Sequence, residues 1–163
     1  MTRRFAADTS VSMDRSIAEI RTTVRRYGAS EFMHMESDAQ AAVAFTMRGR
    51  RILFRVQMPD PKSRAFTHTE AQRKMRTPEA AHAAWEQGCR SRWRALALVI
   101  KAKLEAVEVG IVMFEDEFLA NTVPPGFSVT LGEAMREPMR VAHEEKSITP
   151  LLPYLGKNGG SDG

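Results

Sequence analysis

After Pro78 the chain carries no proline until Pro124. Within that stretch Trp85, Cys89, Trp93, Leu96, Ile100, Leu104, Val107 and Ile111 follow one another at intervals of four, four, three, four, four, three and four. Residues so spaced share one stripe of an α-helix, so a helix from Thr77 to about Val109 is the spine on which the rest must fold. Thr77-Pro78-Glu79 supplies its start: the threonine caps, the proline suits the first turn, and the glutamate favours the positive end of the helix dipole. Gly110 ends or bends it.

A second stripe, Met13, Ile17, Ile20, Val24 and Tyr27, predicts a helix that Ser12 can cap and Gly28 can stop. Its outer face carries Arg15, Arg21, Arg25 and Arg26 against Asp14 and Glu19. Residues 1–10 have no period and read as a flexible arm. Residues 31–36 read as a short strand. The stretch 43-VAFTMRGRRILFRV-56 alternates apolar and polar residues around one glycine, the pattern of a half-buried hairpin. A two-residue turn at Gly49-Arg50 uses the glycine's tolerance of positive φ and sets Met47 opposite Ile52, Phe45 opposite Phe54 and Val43 opposite Val56. Arg48, Arg51 and Arg55 then occupy the wet side, with Arg50 at the tip.

Residues 59–76 hold Pro59, Pro61 and many charges without an apolar period, so they read as a long loop. Phe114, Phe118 and Leu119 predict a short helix, and Pro124-Pro125-Gly126 a turn. Thr130-Leu131-Gly132-Glu133 has the spacing of a capping box, so a further helix begins at Leu131, with Pro138 expected to kink or split it. Fraying is expected from Thr149, and residues 156–163 form a flexible tail. The architecture expected is a single α+β domain over residues 11–155. It combines a small antiparallel sheet (hairpin 43–58 plus a strand near 31–36), a long amphipathic helix packed against that sheet, and a helical C-terminal part.

A chain of 163 residues that is 43% hydrophobic and 27% charged has the size and composition of one folded domain. It contains no apolar run of the roughly 20 residues that span a bilayer. Its start, Met-Thr-Arg-Arg-Phe, lacks the apolar segment of a secretion signal. A cytoplasmic location without membrane attachment is therefore expected. The single cysteine, Cys89, cannot form an intrachain disulfide, and it falls on the apolar stripe, where burial is a better reading than nucleophilic chemistry. His34, His68, His82 and His143 share no metal-ligand spacing. The run Glu115-Asp116-Glu117 reads as a solvated acidic face, because consecutive helical residues point in different directions. Pro59-Asp60-Pro61-Lys62 superficially matches the start of a restriction-type nuclease motif, but the partner acid and lysine are not found on a neighbouring strand. No Gly-rich phosphate loop or nucleophile elbow is present. No catalytic residue, cofactor or metal site is expected.

Charge is distributed unevenly. Residues 1–103 hold 20 basic and 10 acidic groups and residues 104–163 hold 4 and 10, so the two parts are +10 and −6. Of the 24 basic groups 18 are arginine, whose planar fork pairs bidentately with phosphate or carboxylate. Two readings follow: the first part has an anionic partner, or the opposite-signed parts neutralise each other across the fold. Arg90, Arg94 and Lys101 lie near one stripe of the spine helix, with Arg92 and Lys103 flanking another. With Arg48, Arg50, Arg51 and Arg55 of the hairpin and Arg25 and Arg26 of the first helix, they are the candidate nucleic-acid-binding residues. Lys62, Arg64, Arg73, Lys74 and Arg76 of the charged loop could extend the same surface. Few aromatic residues are free for base stacking, and no base-reading motif is present.

The segments 14-DRSIAEIRTTVRRYGA-29, 47-MRGRRILFRVQMPDP-61, 78-PEAAHAAWEQGCRSRWRALALVIKAKLEAVEVGI-111 and 114-FEDEFLA-120 together resemble a family of small uncharacterised phage and prophage proteins. The similarity runs across most of residues 11–155 and implies an accessory protein of a mobile element, without adding a catalytic residue. The expected function is non-enzymatic, largely sequence-insensitive nucleic-acid binding, to DNA rather than RNA. The competing expectation is a protein-protein adaptor or inhibitor, such as an anti-defence factor acting on a host protein.

Overall fold

The computed structural model describes residues 3–37, 40–71 and 73–155, and of residues 3–12, 154 and 155 the backbone alone. The chain runs α1 (Arg3–Arg26), β1 (Glu31–Glu36), β2 (Gln40–Met47), β3 (Arg50–Gln57), α2 (Arg64–Thr67), α3 (Pro78–Glu108), α4 (Phe114–Glu117), β4 (Thr122–Val123), α5 (Leu131–Glu145) and α6 (Leu152–Leu155). Single 3-10 turns lie at Leu119–Asn121 and Thr149–Leu151. The strands form one antiparallel sheet in the order β1-β2-β3-β4. With the long helix α3 and the helical C-terminal part, this is the expected α+β architecture.

Helices α1 and α3 lie side by side and cover one face of the sheet. Ile17, Ile20 and Val24 from α1 meet Cys89, Trp93, Leu96, Ile100 and Leu104 from α3 over Val43, Phe45, Met47, Ile52 and Phe54, and Phe114 and Phe118 close the end. Each large side chain so buried contributes about 1.5–3 kcal/mol. The four phenylalanines form a connected group, with Phe45 and Phe54 each meeting Phe118 edge to face. Burial pushes the Cys89 thiol pKa up, and the nearby Glu36 and Glu86 add to the effect. Thr77 caps α3 by accepting from the Ala80 N–H, and Gly110 stops the chain beyond it with φ of +76°. At the C-terminal ends of the two helices the Tyr27 hydroxyl donates to the Glu105 carboxylate at 2.6 Å, which raises the phenol's pKa.

The hairpin departs from the expected pairing. The turn is Arg48-Gly49, with positive φ at both residues (+50° and +72°), and it sets Met47 opposite Arg50, Phe45 opposite Ile52 and Val43 opposite Phe54. Two adjacent positive-φ residues are the signature of a type I′ turn, whose twist matches that of the strands. Because the pairing is displaced by two residues, every side chain keeps its expected face. Arg50, however, is no longer at the tip but lies beside Met47 on the face covered by the helices.

Three further differences are local. α1 already begins at Arg3, so residues 3–10 of the expected arm are helical in backbone and Ser12 is not a cap. Residues 1 and 2 and the tail 156–163 lie outside the described residues. The expected long loop over residues 59–76 carries one short helix, α2, and its described residues pack onto α3. Its Ser63 caps α2, His68 bridges Met75, and Arg76 donates to the carbonyls of Ala65 and Phe66. The Trp85 indole N–H donates to the Pro59 carbonyl at 2.7 Å, and Phe66 packs against Gly88. Helix α5 has the expected capping box at Thr130 and Glu133, and it continues unsplit through Pro138. No helix among the described residues is long and apolar enough to cross a membrane.

Candidate nucleic-acid interface

The arginines of the hairpin are drawn toward the C-terminal part of the chain. Arg50 pairs with Glu115 at 3.0 Å, and Arg55 pairs with Glu133 at 2.7 Å while also donating to the Ser128 carbonyl at 3.1 Å. Arg48 lies over the Phe114 ring, 5.2 Å from its centroid. On α3, Lys103 pairs with Glu117 at 2.7 Å. Each of these carboxylates comes from the acidic part of the sequence, so here the neutralising arrangement holds. Arg51 alone of the four hairpin arginines has none of these links: it lines a shallow depression with Glu31 and Thr46, whose hydroxyl donates to the Glu31 carboxylate.

A different set of basic residues comes together on the helix layer. Between α1 and α3 runs a groove of about 620 Å³ lined by Arg15, Ser16 and Glu19 on one wall and by Gln87, Arg90, Ser91, Arg94, Ala97 and Leu98 on the other. Among the described residues its polar lining is rich in donors: three guanidiniums, two hydroxyls and one amide against the single carboxylate of Glu19. The Arg90 guanidinium is oriented by Gln87, whose Oε1 accepts from Nε at 2.9 Å and from Nη2 at 2.6 Å. Arg15 and Arg94 have no ion pair among the described residues. Lys101 lies seven residues beyond Arg94, two turns along the same face of α3, and is exposed.

The candidate residues therefore divide. Arg90 and Arg94 share the groove. Lys101 continues their row, while Arg25 and Arg26 are exposed in the last turn of α1, Arg26 lying over the Tyr27 ring. Arg48, Arg50 and Arg55 are tied to the C-terminal part, and Arg92 is spent on the Gln57 carbonyl. Arg15 was not among the sequence candidates for binding, although it stood on the basic outer face of the first helix. What marks it is its position opposite Arg94, and that depends on how two helices from distant parts of the chain align.

Asp60 accepts from the Lys62 backbone N–H, a local turn contact. Among the described residues no group of three His, Cys, Asp or Glu side chains is arranged to hold a metal ion. No protein-family model, curated protein or solved structure matches the chain.

Proposed function

We propose that the protein binds nucleic acid without acting on it, gripping the phosphate backbone with little regard to sequence through the groove between α1 and α3. The observation that carries this reading is the convergence of Arg15, Arg90 and Arg94, with Ser16, Ser91 and Gln87, around one acidic side chain among the described residues. Guanidiniums of this kind hold phosphate oxygens bidentately, and backbone phosphates supply most of the affinity in sequence-insensitive binding. The role as an accessory protein of a phage or mobile element rests on the sequence resemblance. A titration of labelled DNA by fluorescence anisotropy over a range of salt concentrations tests the reading. Affinity should fall steeply with salt, and Arg15→Ala and Arg94→Ala should each weaken it. Binding that is absent at low salt, or indifferent to salt, ends the proposal.

One feature favours an adaptor as the second reading. β1 is an edge strand, and Met33 and Met35, 52% and 49% exposed, stand on its outer side. Unpaired edges of this kind accept a strand from another chain. Recovery of a stoichiometric protein partner from a nuclease-treated lysate, lost when Met33 and Met35 are both replaced by Lys, favours that reading over the first.

A further inference from the structure

The shape of the groove says which form of nucleic acid suits it. Successive arginines on its α3 wall, Arg90 and Arg94, are separated by one helical turn, about 6 Å of rise, and Lys101 extends the row by roughly a further 10 Å. Arg15 faces this row from α1. That is a straight track for consecutive phosphates of one strand, walled by two rigid helices.

Among the described residues of the track, none offers a ring for a base to stack on. None of the nine lining residues is aromatic. Elsewhere Trp85 is held by Pro59 and stacked on His82, Tyr27 is held by Glu105, Phe32 lies under Arg21, and Phe45, Phe114, Phe118 and Trp93 are fully buried. Binders of single strands draw about 1–3 kcal/mol per base from such stacking. Without it, affinity depends on phosphate density and on how much ordering the ligand must undergo. A duplex is superior on both counts, with one charge per roughly 1.7 Å of axis over its two strands, about 3.4 Å on each, and a backbone already ordered before binding.

We infer that the α1/α3 groove receives one sugar-phosphate strand of duplex DNA and prefers the duplex to a single strand. This rests on the nucleic-acid reading above. The test is an anisotropy titration of a labelled DNA duplex and of its labelled strand alone, at matched salt, with wild type, Arg94→Ala and the conservative Arg94→Lys. The duplex should bind about tenfold more tightly, with a slope of log affinity against log salt near −2.7 for contacts from Arg15, Arg94 and Lys101, reduced in magnitude by about 0.9 in Arg94→Ala and preserved in Arg94→Lys. Equal or tighter binding of the single strand overturns the inference and leaves the nucleic-acid reading standing. A duplex affinity and slope unchanged in a folded Arg94→Ala protein also overturns it, because the site then lies elsewhere. Binding of neither form removes both.

Discussion

The Glu133 carboxylate is shared: Oε2 accepts from the Thr130 backbone N–H at 2.8 Å and closes the cap of α5, while Oε1 accepts the Arg55 guanidinium at 2.7 Å. One side chain thus fixes the start of α5 and ties it to the hairpin. Partial burial raises the Glu133 pKa, but the Thr130 N–H and Arg55 outweigh it and hold the carboxyl below the usual carboxylate value. A depressed pKa means that the stabilisation is complete above the unfolded value of about 4.3 and is lost as pH falls through the lower folded value. Glu133→Gln should cost about 1 kcal/mol at neutral pH and flatten the acid limb of stability, read from thermal melts between neutral pH and about pH 3.

The groove and the hairpin make opposite predictions for arginine replacement. Arg15→Ala or Arg94→Ala should each lower the salt slope of DNA binding by about 0.9, with melting temperature little changed. Arg50→Ala and Arg55→Ala remove partners of Glu115 and Glu133. They should lower stability by up to about 1 kcal/mol and leave the slope unaltered. If the hairpin variants are instead the ones that change the slope, the groove is the wrong surface.

Glu19 is the one carboxylate among the described residues of the groove lining, so it opposes any bound phosphate. Replacing it with Gln keeps the shape and removes the charge. For an exposed charge worth about 0.2–1 kcal/mol, DNA affinity should rise by up to about fivefold at low salt, and the gain should vanish at high salt. A fall in affinity would mean that Glu19 serves to orient an arginine.

Gly88 sits inside α3, and a Cβ there would come within 2.9 Å of the Phe66 ring. Alanine would gain about 1 kcal/mol of helix propensity. It would also push Phe66 from its seat and loosen the segment clasped to α3. Gly88→Ala should therefore change global stability by less than about 1 kcal/mol while trypsin cleaves faster at Lys62, Arg64, Arg73 and Lys74. Unchanged cleavage would show that Phe66 simply rotates aside.

The spine helix was legible because its stripe repeats over many turns and its cap is written in adjacent residues, Thr77-Pro78-Glu79. The capping box of α5 was legible for the same reason. The faces of the hairpin were legible too, since alternation alone assigns them. Its turn was not, because an arginine at positive φ is disfavoured, and a reading from local preference gives that position to glycine. Arg48 adopts it where cross-strand pairing and a seat over Phe114 support it. The groove was beyond sequence reasoning because Arg15 and Arg94 meet only through the alignment of α1 on α3, which the packing of Ile17, Ile20 and Val24 against Trp93 and Ile100 decides.

Helix α5 contributes no fully buried side chain, whereas α3 contributes seven buried residues, among them Trp93, Ile100 and Leu104. The two helices therefore belong to different tiers of a native-state opening hierarchy. Amide protons along α5 should trade with deuterium through a shallow, local excursion that leaves the sheet intact, and those flanking Trp93 only when the whole molecule unravels.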